Sequence, residues 1–147
     1  MFFIEYKISG AGWASGKIGN NEKTITMGVS YLHDSLKELA QSAIDIKNAE
    51  LKTIVFMDEP GEYILLLKRR NDNIIKYELR WYPDWNSWNL ISEDNFKLKL
   101  KGETTVTKFT NQVRNILIEI LKDLTPEEYE EKWINHKFPM DEYKSLK

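Results

Sequence analysis

Three carboxylates crowd one short stretch of this chain, Asp58, Glu59 and Glu62, around Pro60-Gly61. Paired carboxylates can exchange protons with a substrate or hold a hard cation. The same residue types are also what a solvated turn uses, and nothing here follows the ligand spacing of an EF-hand loop. The two imidazoles, His33 and His136, lie far apart and make no H-x-x-x-H pair for zinc. A Ser–His–Asp set can be assembled from distant positions. The Gly-x-Ser-x-Gly elbow that would expose a nucleophilic serine is missing from the sequence. A small hydrolase using Glu59, Glu62 and His33 therefore stands as the alternative reading, and no catalytic, cofactor or metal residue is assigned.

The glycine-rich run Gly10-Ala-Gly-Trp-Ala-Ser-Gly16-Lys17 invites a test as a phosphate cradle. Five residues separate Gly10 from Gly16 and three separate Gly12 from it, where a Walker loop needs four, and Ile18 follows the lysine instead of Ser or Thr. The Rossmann spacing fails as well. The next element is expected to be a strand, so no helix N-terminus would meet a phosphate. A bulged strand edge with Trp13 packed inward is the expectation.

The second candidate chemistry is binding. Trp81, Tyr82, Trp85 and Trp88 fall within eight positions, beside Arg80 and Asp84. Trp, Tyr and Arg are the residue types that dominate protein-binding hot spots. Strand alternation sends Trp81 and Tyr82 to opposite faces, so the two cannot share one core. The expected partner-facing set is Arg80, Tyr82, Asp84, Trp85 and Trp88, with the turn residues Asp58, Glu59 and Glu62. A satellite aromatic cluster covering the sheet is the competing reading.

The elements that must position these residues are readable. Thr53–Met57, Tyr63–Lys68 and Ile74–Tyr82 are rich in branched and aromatic residues and separated by turn chemistry, which predicts an antiparallel meander. Pro60 and Gly61 suit the centre of a type II turn. Leu51–Met57 is partly continuous apolar, which suggests a strand buried on both faces or central in the sheet. Phe2–Ser9 alternates as a strand, and Thr24–Val29 is its expected hairpin partner. Phe96, Leu98 and Leu100 should point inward, with Lys97, Lys99 and Lys101 as the wet row of an edge strand.

Ser30 is the expected N-cap of a first helix, whose stripe runs through Leu32, Leu36, Leu39, Ala40, Ala43 and Ile44. Phe109, Val113, Ile116, Leu117, Ile120, Leu121 and Leu124 place a second helix from about Thr107 to Asp123. Thr125-Pro126-Glu127-Glu128 is a capping box that opens a third. The resulting order, β-β-α-β-β-β-β-α-α, predicts an α+β fold: one antiparallel sheet of about five or six strands, two main helices on one face and a short C-terminal helix.

At 147 residues with no cysteine, the chain is expected to be one domain in a reducing compartment. Charge appears by Glu5 in the first residues and no apolar run reaches the length of a membrane span, so the expected location is cytoplasmic. The net charge of −2 arises from 21 basic and 23 acidic side chains. The excess sits late: Asp123, Glu127, Glu128, Glu130 and Glu131 follow one another without a cation between them. A nucleic-acid binder would carry the opposite balance.

Several short pieces occur together in order: Gly12-Trp13-Ala14, Ser30-Tyr31-Leu32 with Asp34, Glu59-Pro-Gly-Glu-Tyr63, Trp81, then Tyr129, Trp133, His136 and Phe138-Pro139. In these the chain resembles a set of small, largely uncharacterised bacterial proteins from toxin–immunity neighbourhoods. The resemblance implies a non-enzymatic protein-binding role, that of an immunity protein neutralising a toxin domain, and brings no catalytic residue with it. The expected partner is another protein, not nucleic acid or a membrane, and the chain is expected to be a monomer or weak homodimer. A self-associating structural role through the Trp81–Trp88 surface is a further alternative.

Overall fold

The computed structural model describes residues 2–147; Met1, the first residue of the N-terminal reading above, lies outside them. The order is β1 (Phe3–Gly10), β2 (Trp13–Gly19), β3 (Thr24–Ser30), α1 (Ser35–Asp45), β4 (Leu51–Met57), β5 (Glu62–Arg69), β6 (Ile74–Tyr82), β7 (Lys97–Thr105), α2 (Val106–Asp123), α3 (Pro126–Lys132) and α4 (Met140–Leu146). The fold is α+β and antiparallel throughout. Among the described residues the strands number seven and divide between two sheets, β1-β2-β3 and β4-β5-β6-β7, where one sheet was expected.

The division begins at the glycine run. Ala11 and Gly12 both take positive φ and turn the chain tightly between β1 and β2, which frees Trp13–Gly19 to pair with both neighbours. Thr24–Ser30 is therefore the partner of β2, not of β1. Gly12 has no alternative residue: a Cβ there would run into the Tyr31 ring and Ile134, while its own N–H donates to the Lys132 carbonyl at 2.9 Å. Trp13 is exposed at 37%, contrary to the inward packing expected of it.

The inner faces of both sheets, the stripes of α1 and α2, and Tyr129 and Trp133 of the tail join in a continuous core. Phe2 bridges the sheets, its ring 4.8 Å from Tyr77 and 6.3 Å from Phe109. Val113, Leu117 and Phe109 of α2 are fully buried, as the spacing predicts. The hydroxyls of Tyr6 and Tyr129 are enclosed with no protein partner, and burial, aided by the charge of Asp34, pushes both above the ordinary tyrosine value.

Four further expectations are revised. The α1 N-cap is Asp34, whose carboxylate accepts from Lys37 N, because Ser30 is the last rung of β3 opposite Trp13. Leu32 lies outside the helix and is 40% exposed. Strand β4 is an edge strand and not a central one, while burial on both faces, the other reading of its apolar run, holds over Ile54–Met57: α1 covers the edge, with Glu38 accepting from Val55 N at 2.6 Å and Ser35 Oγ donating to Val55 O at 2.6 Å. The central turn has Glu59 and Pro60 at its centre, joined by a cis bond, with Asp58 N donating to Gly61 O.

The last revision concerns β7. A register shift between Leu79 and Arg80 leaves Leu79 opposite Leu100 but Arg80 opposite Leu98. Lys99 is the extra residue of this bulge, and an extra residue reverses the facing of everything on its far side. Leu100 stays in the core, whereas Leu98 is 44% exposed on the outer face and Phe96 packs there against Tyr82. No helix among the described residues is long and apolar enough to cross a membrane.

Candidate protein-binding surface

The outer face of the four-stranded sheet carries a second, smaller apolar cluster of Val55, Ile64 and Tyr82, with Ile91 and Phe96 packed onto it. The segment after β6 folds back over this cluster because Pro83 ends the ladder and the next residues find partners on the sheet end. Tyr82, 2% exposed, donates its hydroxyl to the Glu93 carbonyl at 2.7 Å. Asn86 Nδ2 donates to Ile91 O at 3.0 Å, closing the loop on itself.

Glu62 is the pivot. It opens β5, pairs with Tyr82 across the sheet and is fully enclosed. Its two carboxylate oxygens accept from Ser87 N at 3.0 Å and Ser87 Oγ at 2.7 Å. A buried carboxylate is tolerated only with such donors, and here they come from a single 3₁₀ turn, Asn86–Trp88. Trp85 locks the same turn from the other side: its indole N–H is shared between the carbonyls of Asp58 (2.9 Å) and Gly61 (3.0 Å). Gly61 must be glycine, since a Cβ would collide with the Tyr82 carbonyl and the Trp81 ring.

Trp88 stands on this platform with its ring 4.6 Å from that of Trp85, edge to face, and is 48% exposed. Leu90 is 57% exposed beside it in sequence. Arg80 lays its guanidinium over Phe96 at 4.2 Å and pairs with Glu78 at 2.8 Å, half-buried on the same face as Leu98. Asp84 caps Trp85 N at 2.7 Å and is exposed.

The eight sequence-predicted residues thus converge on one end of this sheet, in three layers. Trp88, Asp84 and Glu59 are exposed; Arg80, Trp85 and Asp58 are half-buried; Tyr82 and Glu62 are buried supports and cannot themselves meet a partner. Leu90 and Leu98 join the surface without having been foreseen. Leu90 sits between Asn89 and Ile91 in a stretch without strand or helix periodicity, so nothing in the sequence signals its exposure, and for Leu98 the bulge hides it.

The histidines go elsewhere. His33 Nε2 lies 2.9 Å from Glu38 Oε1, at the end of a groove of about 510 Å³ that Asp34, Lys37, Glu38, Lys52 and Thr53 also line and that neither Glu59 nor Glu62 enters. Burial pulls the His33 pKa down, but the hydrogen bond and charge of Glu38, with Asp34 and Glu62 behind it, hold it above its ordinary value. His136 Nε2 donates to the Tyr31 carbonyl at 2.7 Å, with Nδ1 3.6 Å from Asp34. Among the described residues no group of three or more His, Asp or Glu side chains is placed to hold a metal ion.

No family model matches the chain, and no curated protein matches it. Among solved structures the chain is similar to one from the CdiA-CT/CdiI toxin and immunity complex of Enterobacter cloacae, at 14% identity and a TM-score of 0.48, covering 79% of this chain and 98% of that one. A likeness this loose says nothing of what this chain binds.

Proposed function

We propose that the chain is a non-enzymatic protein-binding module that docks its partner on the Trp88, Leu90 and Leu98 face, rimmed by Arg80, Asp84 and Glu59. One observation carries the reading: an exposed indole held in place by a buried carboxylate, Glu62, through Ser87. An exposed tryptophan that served only solubility or packing would need no such support. A pre-fixed aromatic loses little side-chain freedom on binding, and that is the economy of a hot spot. The finer reading is an immunity-type role against a toxin domain, as the sequence resemblance implies. The acidic side chains Glu127, Glu130 and Glu131 would then speed encounter with a basic partner at low salt.

The test is titration calorimetry of the purified chain against the protein encoded by the adjacent gene. A saturable one-to-one complex supports the proposal. Absence of binding to that protein, with light scattering showing concentration-dependent oligomers that Trp88→Ala dissolves, would replace it with self-association.

A further inference from the structure

The three-stranded sheet ends at β1, and one side of that strand is open. Ile4 N–H points away from β2 and donates to Gln112 Oε1 of α2 at 2.7 Å, while Gln112 Nε2 donates to the Phe2 carbonyl at 2.6 Å. The Gln112 amide thereby takes one outward-facing donor and one outward-facing acceptor of the edge, as a neighbouring strand would. Peptide groups of a strand alternate in direction, so the next outward pairs on this edge belong to Tyr6 and Ile8. No protein group among the described residues hydrogen-bonds to them.

These groups face a groove of about 740 Å³ that runs between β1 and α2. Ile116, Ile120 and Leu124 contribute its apolar lining, and Glu5 and Lys7 stand on the solvent side of the strand. From Ile4 to Ile8 the strand offers roughly 13 Å of edge. We infer that this groove is a second binding site, one that takes an extended polypeptide segment of a partner protein as an additional strand on β1.

The occupant follows from the chemistry of the walls. Only an extended backbone offers donors and acceptors at the spacing of Tyr6 and Ile8, which is how strand addition gains affinity. Its side chains alternate, so one set meets Ile116, Ile120 and Leu124 and must be apolar. The other set lies beside Glu5 and Lys7 and must be polar or charged. A second copy of the chain is a poor occupant through this edge, because its own β1 is walled by its own α2. The site lies on the three-stranded sheet, apart from the Trp88 face, and stands whether or not that face binds.

The probe is the peptide acetyl-Thr-Val-Lys-Val-Thr-Val-amide, added to the isotope-labelled chain while amide shifts and hydrogen exchange are followed. Binding should move resonances of residues 4–9 and of α2, and slow exchange at Tyr6 and Ile8 by about tenfold or more, since each gains a hydrogen-bonded partner. N-methylation of one alternate set of peptide nitrogens should weaken binding about tenfold, and of the other set should leave it unchanged. Ile8→Pro deletes an outward N–H without touching the β1–β2 ladder and should weaken the peptide similarly. Should that variant unfold, Asn115→Trp, which fills the groove from an exposed helix position, serves in its place. Equal effects of both methylation patterns, no response at Tyr6 and Ile8, or protection of those amides by raising protein concentration without peptide would each overturn the inference.

Discussion

Glu62 and Ser87, 25 residues apart in sequence, are joined by two hydrogen bonds from one residue's backbone and hydroxyl to both oxygens of the other's buried carboxylate. This pairing ties the loop after β6 to the first residue of β5 and sets where Trp88 stands. Glu62→Ala leaves the Ser87 N–H without its acceptor and should cost about 1.5–3 kcal/mol in urea unfolding. Glu62→Gln, which keeps an acceptor oxygen, should cost less. Equal losses would mean that the carboxylate fills space and does not organise the loop.

Trp85 and Trp88 should separate cleanly. Trp85 is half-buried and its indole N–H serves the Asp58 and Gly61 carbonyls, so Trp85→Ala should destabilise by about 1–3 kcal/mol. Trp88 gives the fold little, and Trp88→Ala should stay within about 0.5 kcal/mol. Acrylamide should quench the Trp88 indole readily in the wild type. Matching stability losses in the two variants would place Trp88 in the structural cluster instead.

Helix α2 offers a control on the core. Leu117 is fully buried, and Leu117→Ala should cost about 2–5 kcal/mol through lost transfer energy and the cavity left behind. Lys122, on the opposite side, forms only an exposed ion pair with Glu119, and Lys122→Ala should stay within about 0.5 kcal/mol.

The His33–Glu38 pair predicts a pH dependence. The folded-state pKa of His33 is raised, so the imidazolium favours the folded state. That contribution is fully present below about pH 6.5, the ordinary histidine value, and is lost as the pH rises through the folded value. Stability measured from about pH 6 to pH 8 should fall more steeply in the wild type than in His33→Gln. Parallel profiles would contradict the pairing.

Much of this was legible in local sequence. The α2 stripe and the Thr125 capping box, where Thr125 Oγ1 accepts from Glu128 N at 3.1 Å and Glu128 Oε1 accepts from Thr125 N at 3.0 Å, depend on residues three or four apart, and both were readable. The aromatic cluster was readable as residue types, but not its layering. Glu62 reads as a solvated turn acid because the donors that permit its burial lie far along the chain. Ser30 and Asp34 are both competent caps, and only strand pairing with Trp13 removes the first from contention. The bulge at Lys99 leaves no mark in an alternating Lys-Leu-Lys-Leu run, so Leu98 read as core. The run Gly10–Gly16 read as a bulged strand edge, and β1 does shift register between Ile8 and Gly10, but nothing local showed that Ala11 and Gly12 would turn the chain and leave Gly16 inside a second strand.

The central claim is that Trp88 is a binding residue, and affinity tests it most directly. The product of the adjacent gene should be titrated into the wild-type chain and into Trp88→Ala, with unfolding midpoints measured on the same samples. The expected result is an affinity loss of about 2 kcal/mol, roughly thirtyfold in Kd, at an unchanged midpoint. A folded Trp88→Ala that binds as tightly as the wild type would contradict it.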